Sequence, residues 1–163
     1  MNTLRQSPRI GVLGPHACSP DEAQLGFEVG AEIARRGGIL LCGGLDGMME
    51  AAARGAKSEN GLTVGILPGD TDEAANAHID VPLPTGLGAV RNMVLVRMCH
   101  AVIAIHGRYG TLSEIASALR LGVRVVGLHS WAVSEEGGAP DPGILVAHSA
   151  KEAVDLALKS SEK

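Results

Sequence analysis

Aromatic side chains are almost missing from this chain: one Trp, one Tyr and one Phe in 163 residues. That removes the stacking platforms on which single-stranded nucleic acids are held. A basic excess is missing too. The formal net charge is −4 and the pI is about 5.8, whereas phosphate-tracking surfaces need the opposite sign. No nucleic-acid partner is expected, although an acidic protein can still build a local positive site for a small anion. The three cysteines, Cys18, Cys42 and Cys99, lie far apart with no CxxC, a usage that fits a reducing cytosol. The six histidines show neither HxH nor HxxxH spacing, so no dedicated metal site is expected. No apolar run reaches membrane-span length, and the N-terminal "MNTLRQSPRIGVLG" has no long apolar h-region. A cytoplasmic protein without a membrane partner is the expectation.

What the chain does have is apolar residues (45 %) and 22 glycines spread without a period. It is long enough for one domain with a substantial core, and residues 1–163 read as a single domain. Short apolar runs alternate with helical stretches. "RIGVLGP" reads as a first strand, and "SPDEAQLGFEVGAEIARRGG" as a helix with Ser19 at its N-cap, Pro20 at its first position and Glu22 closing a capping box. Gly37 and Gly38 supply its stop. Gly26 and Gly30, one turn apart, suit a close approach of this helix to a sheet.

"ILLCGG", "LTVGILP", "IDVPL", "AVIAI", "VRVVGL" and "ILVAHS" read as further strands. "DGMMEAAARGAKSEN", "GLGAVRNMVLVRMCH", "GTLSEIASALRLG" and "AKEAVDLALKSS" read as helices, "GDTDEAANAH" as an irregular or short helical excursion, and "HSWAVSEEGGAPDPG" as a long loop. Apolar strands without polar alternation indicate a parallel sheet covered on both faces. The fold class is therefore α/β: a doubly wound parallel sheet in a three-layer α/β/α arrangement.

Ligands of such folds bind beyond the carboxyl ends of the strands, here at Gly14, Gly43–Gly44, Pro68–Gly69 and His106–Gly107. Around Gly43, Gly44, Gly47 and Met48, in "GGLDGMM", a glycine-rich strand-to-helix turn reads either as an anion cradle or as a tight turn alone. It is not the dinucleotide fingerprint, which follows a first strand, and no GxxxxGK[ST] is present. "TGLGAVRN" sets Arg91 and Asn92 at the start of a helix, where an arginine can hold a phosphate or carboxylate. In "HGRYGTLSE", the amides from Gly110 to Leu112 can cradle an anion beside Glu114. Thr111 and Glu114 also read as a capping box that begins the helix.

Taken in order, "GGLDGMMEAAARGA", "TVGILPG", "TGLGAVRN" and "HGRYGTLSEIASAL" resemble the LOG-like (SLOG) superfamily. The resemblance is closest to the branch of small bacterial proteins labelled possible lysine decarboxylases, which includes the molybdenum cofactor carrier proteins. It implies a Rossmann-like fold and a homo-oligomer, dimer or tetramer. A lysine decarboxylase is not implied, since no pyridoxal phosphate lysine site is recognisable. In the LOG enzymes, which cleave the N-glycosidic bond of cytokinin or adenosine 5′-monophosphates, an arginine and the glutamate of PGGxGTxxE form the catalytic pair. The matching positions here are Arg91 and Glu114.

The candidate residues for holding a phosphorylated ligand, taken from the strand ends, the glycine turns and the matched motif together, are Gly14, Gly43, Gly44, Gly47, Met48, Arg91, Asn92, Gly107, Arg108, Tyr109, Gly110, Thr111 and Ser113. This chain departs from the enzyme motif at two positions, with His106 in place of proline and Arg108 in place of glycine. The expected function is a carrier of a phosphorylated heterocycle, either molybdenum cofactor as cargo or a purine nucleotide, with no cofactor required. The alternative is a nucleoside 5′-monophosphate phosphoribohydrolase.

Overall fold

The computed structural model describes residues 4–159. Seven strands form one sheet, all pairs parallel, in the order β4-β3-β2-β1-β5-β6-β7. They are β1 (Arg9–Leu13), β2 (Ile39–Cys42), β3 (Thr63–Leu67), β4 (Val81–Pro84), β5 (Ala101–Ile105), β6 (Arg124–Leu128) and β7 (Ile144–Ala147). The helices are α1 (Pro20–Arg35), α2 (Met48–Ser58), α3 (Arg91–Met98), α4 (Tyr109–Arg120) and α5 (Ala150–Leu158). One core layer joins α1, α2 and α5 to the sheet through residues such as Ile10, Val29, Ile33, Leu40 and Val154. The other joins α3 and α4 through Leu13, Leu95, Val102 and Ile115. This is the three-layer, Rossmann-like arrangement. Every residue of β2 and β5 is buried, which is why their sequences are unbroken apolar runs.

Local signals explain much of the helix placement. At the start of α1 the Glu22 amide donates to Ser19 Oγ at 3.2 Å, and the Ser19 amide donates to Glu22 Oε2 at 2.7 Å. Pro20 opens the helix. At its end Gly37, at φ 71, donates to the Ala34 carbonyl, and Gly38 donates to that of Ile33. This Schellman arrangement satisfies two end carbonyls, and glycine adopts its left-handed turn without a Cβ penalty. The segment 68–80 between β3 and β4 is irregular, pinned where Asn76 donates through its side-chain amide to the Gly44 and Leu45 carbonyls.

The two glycines of α1 serve a different neighbour from the expected one. A Cβ on Gly30 would lie 1.9 Å from the Ala52 carbonyl oxygen, and one on Gly26 would lie 2.4 Å from Met48 Sδ. Both partners belong to α2, so the close approach is helix on helix rather than helix on sheet. Gly55 of α2 reciprocates, its Cα facing the Phe27 carbonyl.

Strand order reverses between β1 and β5: the chain moves outward from β1 to β4, then returns to β5 on the other side of β1. A crevice opens at such a switch point, because the connections leaving the two neighbouring strands diverge to opposite faces.

Candidate functional site

A cleft of about 340 Å³ lies at this switch point. The end of β1 contributes Leu13 and Gly14, the end of β2 contributes Gly43, α3 contributes Arg91 and Asn92, and the start of α4 contributes Thr111 and Glu114. Eight of the expected site residues therefore meet: Gly14, Gly43, Arg91, Asn92, Arg108, Gly110, Thr111 and Glu114.

Arg91 is the most unusual of them. It opens α3 directly after a 3-10 turn at Gly88–Val90, yet only 7 % of it is exposed. Its Nε has no hydrogen-bond partner, and the side-chain oxygen of neighbouring Asn92 is likewise buried and unpaired. Among the described residues no carboxylate forms a salt bridge with Arg91. Burial lowers its pKa, and Glu114 pulls in the opposite direction through space. A Cβ at Gly43 would sit 2.7 Å from Arg91 Nη2, so the bare backbone of Gly43 makes room for the guanidinium. A buried cation short of partners is costly to maintain, and an incoming anion relieves that cost.

Glu114 stands across the same cleft. Burial pushes its carboxyl up from the usual 4.5 to about 7, against the downward pull of Arg91. Near neutral pH it is therefore divided between acid and carboxylate. Beneath the floor, Cys42 Sγ accepts from the Gly44 amide at 3.4 Å, and burial raises this thiol to about 11, leaving it neutral.

The start of α4 corrects one expectation. Thr111 does not cap this helix, which begins two residues earlier at Tyr109; Arg108 is the N-cap and makes no side-chain cap hydrogen bond. The physical cause is Gly107, whose φ of 104 turns the chain early and whose Cα packs so close to Thr111 that a Cβ would lie 2.4 Å from that side chain. Thr111 is thus the buried third residue of α4. The first amide bonded in the helix is that of Leu112, to the Arg108 carbonyl. Those of Tyr109, Gly110 and Thr111 are the unpaired end of the helix.

The glycine turn before α2 is placed differently. The Met48 amide donates to the Pro15 carbonyl at 3.0 Å, and a Cβ on Gly47 would lie 2.0 Å from the His16 carbonyl oxygen. This turn is closed over by the β1–α1 loop. Met48 is fully buried beneath Gly14, and Gly44 is buried against Leu67. Ser113 is exposed outside the cleft, and Tyr109 is 81 % exposed with its ring 5.9 Å from that of Trp131.

Gly107 faces a second compartment of about 440 Å³, whose other walls include His106, Arg108, His129, Ser130 and Trp131. His129, Ser130 and Trp131 were missed because they follow the end of β6 without any motif; only their position at a strand end marks them. Met49 of the main cleft was missed as the neighbour of a buried methionine.

His106, at the position of the LOG motif's proline, has φ 50. Proline is locked near φ −65°, so the backbone here takes a path that the proline of PGGxGTxxE cannot. Arg108, at the glycine position, is extended (φ −114, ψ −158) and needs no glycine.

The profile of the SLOG cluster4 family matches residues 7–154. Among solved structures, the molybdenum cofactor binding protein of Rippkaea orientalis superposes with a TM-score of 0.82 at 32 % identity, covering 93 % of this chain and 95 % of that one. The Moco carrier protein of Chlamydomonas reinhardtii superposes with a TM-score of 0.80 at 31 % identity, covering 92 % and 94 %. A cytokinin riboside 5′-monophosphate phosphoribohydrolase of Mycobacterium tuberculosis is 35 % identical over 108 residues, which is 63 % of this chain and 58 % of that protein. With its switch-point cleft, its ordered glycine motifs and a profile match over nearly its whole length, the chain belongs to the SLOG cluster4 family.

Proposed function

We propose that this protein binds and carries a phosphorylated heterocyclic ligand of the molybdenum cofactor class, with the phosphate held between Arg91 and the amide end of α4. The observation that carries this reading is Arg91, buried to 7 % exposure with an unpaired Nε in the wall of an open cleft. A phosphate supplies the missing acceptors through charge-assisted hydrogen bonds. The free amides of Tyr109, Gly110 and Thr111 add the positive end of a helix dipole. The names of two structural relatives support the class of cargo. Native mass spectrometry of the protein, mixed with molybdenum cofactor and with AMP, tests the reading: a retained adduct that disappears in Arg91→Gln is expected.

Phosphoribohydrolase activity is a second reading, favoured by the juxtaposition of Arg91 with Glu114 and by the mycobacterial relative. An ionised Glu114 would stabilise the positive charge that develops on ribose as the glycosidic bond breaks. The titration of Glu114 weighs against efficient turnover. Its carboxyl is already raised to about 7, and a bound phosphate raises it further by like-charge repulsion, so the carboxylate needed for this chemistry is depleted when the cleft is filled. Free adenine released from AMP by the wild type but not by Glu114→Gln would establish the second reading in place of the first.

A homo-oligomer belongs to the same proposal. Val81, Leu83, Leu87, Val90, Met93 and Val94 are all large apolar residues at least 36 % exposed. They crowd into one short segment next to Arg91, and such a cluster is the mark of a buried contact. Prolines at 82 and 84 keep edge strand β4 from simply adding another strand. Sedimentation equilibrium is expected to give a dimer or tetramer, and Val90→Glu with Met93→Glu a monomer. Among the described residues no helix is long and apolar enough to cross a membrane.

A further inference from the structure

The second compartment is not absorbed by the proposed function. It meets the main cleft along Pro15, Ala17 and Arg108, which line both. Each volume alone sits toward the small end of the roughly 300–1,000 Å³ typical of ligand sites. Two imidazoles form one wall: His106 and His129 are stacked with centroids 5.6 Å apart and planes 26° from parallel. Both residues hold left-handed backbones, at φ 50 and 53, where β5 and β6 end. Such conformations cost free energy in non-glycine residues, and they concentrate at ligand sites.

Trp131 adds an indole surface whose buried N–H has no acceptor. Of the three aromatic residues in the chain, two, Tyr109 and Trp131, stand together at this place. Arg108 lies on the border between the compartments. Its side chain makes no hydrogen bond or salt bridge among the described residues; Glu22, a carboxylate in the wall of the same compartment, interacts with it through space while also capping α1.

We propose that the two compartments form one bipartite site for a pyrophosphate-bridged dinucleotide. One ring system occupies the main cleft and the other stacks on the His106–His129–Trp131 wall. The bridge lies between them, one phosphate between Arg91 and the free amides of α4 and the other on the Arg108 guanidinium. Aromatic and imidazole faces accept a planar base without reading its sequence of donors and acceptors. A cation placed over the bridge supplies charge where a dinucleotide carries it. This inference rests on the reading of the main cleft as a phosphate site.

The test uses AMP as the one-ring probe and diadenosine pyrophosphate as the two-ring probe, each titrated calorimetrically into the intact protein. Trp131 is the single tryptophan, so its fluorescence reports the second compartment alone. Diadenosine pyrophosphate is expected to bind at least ~10-fold more tightly than AMP and to change Trp131 emission, which AMP leaves unaltered. His129→Asn removes the ring while retaining a residue that tolerates the left-handed backbone. It is expected to abolish the advantage of the dinucleotide and leave AMP affinity unchanged. Trp131→Phe, followed by calorimetry, is expected to reduce that advantage.

Equal affinity for the two probes overturns this inference and leaves the main-cleft reading standing. Tighter dinucleotide binding with Trp131 emission and the His129→Asn affinity both unaltered also overturns it, because the second ring then lies elsewhere. Failure of both probes to bind overturns this inference, and the main-cleft reading falls with it only if molybdenum cofactor also forms no adduct that depends on Arg91.

Discussion

Replacing Glu114 by glutamine keeps the side chain's volume and removes its titration. In the folded chain burial raises this carboxyl from 4.5 to about 7. At about 1.4 kcal/mol per pKa unit, ionising it costs ~3 kcal/mol more in the folded than in the unfolded chain. Glu114 is only partly buried, and solvent screening brings the expected figure to roughly 2 kcal/mol. The sign follows from proton counting. Between pH 4.5 and 7 the folded chain holds this proton more firmly than the unfolded one, so stability falls as pH rises through that window and levels off above it. Carboxylates such as Asp80 and Asp155, whose pKa values are lowered by their partners, change stability in the opposite direction at more acid pH and are common to both proteins.

The assay is urea denaturation of wild type and Glu114→Gln at a series of pH values from 4 to 8. The two proteins should come together near pH 4, and the variant should be more stable by roughly 2 kcal/mol at pH 8. Parallel curves across the whole range would refute the claim that Glu114 is strained by its burial.

The same titration governs ligand binding. A phosphate ester should bind about 3- to 10-fold more weakly at pH 8.5 than at pH 7 in the wild type, and with little pH dependence in Glu114→Gln, as read by calorimetry in matched buffers. Gly43→Ala places a Cβ 2.7 Å from Arg91 Nη2 and 2.6 Å from Met49 Sδ. Both side chains are long but buried, so they must shift to make room: stability should fall by about 1–2 kcal/mol, read by denaturant titration, and phosphate-ester affinity by roughly tenfold. Gly30→Ala meets backbone instead, 1.9 Å from the Ala52 carbonyl oxygen. It should destabilise the fold by about 3 kcal/mol, measured by denaturant titration, with the α1–α2 contact forced apart.

Much of this arrangement is readable in the residues. The buried strands declare themselves as unbroken apolar runs, because both faces of the sheet are covered. The Ser19–Glu22 box and the Gly37–Gly38 stop bound α1 by chemistry that acts within a few residues. Arg91 and Glu114 are found through their motifs and do share a cleft. What depends on distant neighbours is not readable. The early start of α4 comes from Thr111 packing on Gly107, and Gly26 and Gly30 look the same in sequence whether they face a sheet or a helix. Burial of Arg91 escapes the sequence altogether, since an arginine at a helix start normally reaches water. The His106–His129 wall joins the ends of two strands, and neither histidine has a motif to connect it with the other.

The central claim is that Arg91 is a buried cation awaiting a phosphate. It is tested most directly by measuring the dissociation constant of one phosphorylated ligand, molybdenum cofactor or AMP, for wild type and for Arg91→Gln. Loss of a charge-assisted pair predicts at least ~10-fold weaker binding in the variant, with the fold retained. Equal affinity in the two proteins would contradict the account, because the phosphate would then be held somewhere other than against this guanidinium.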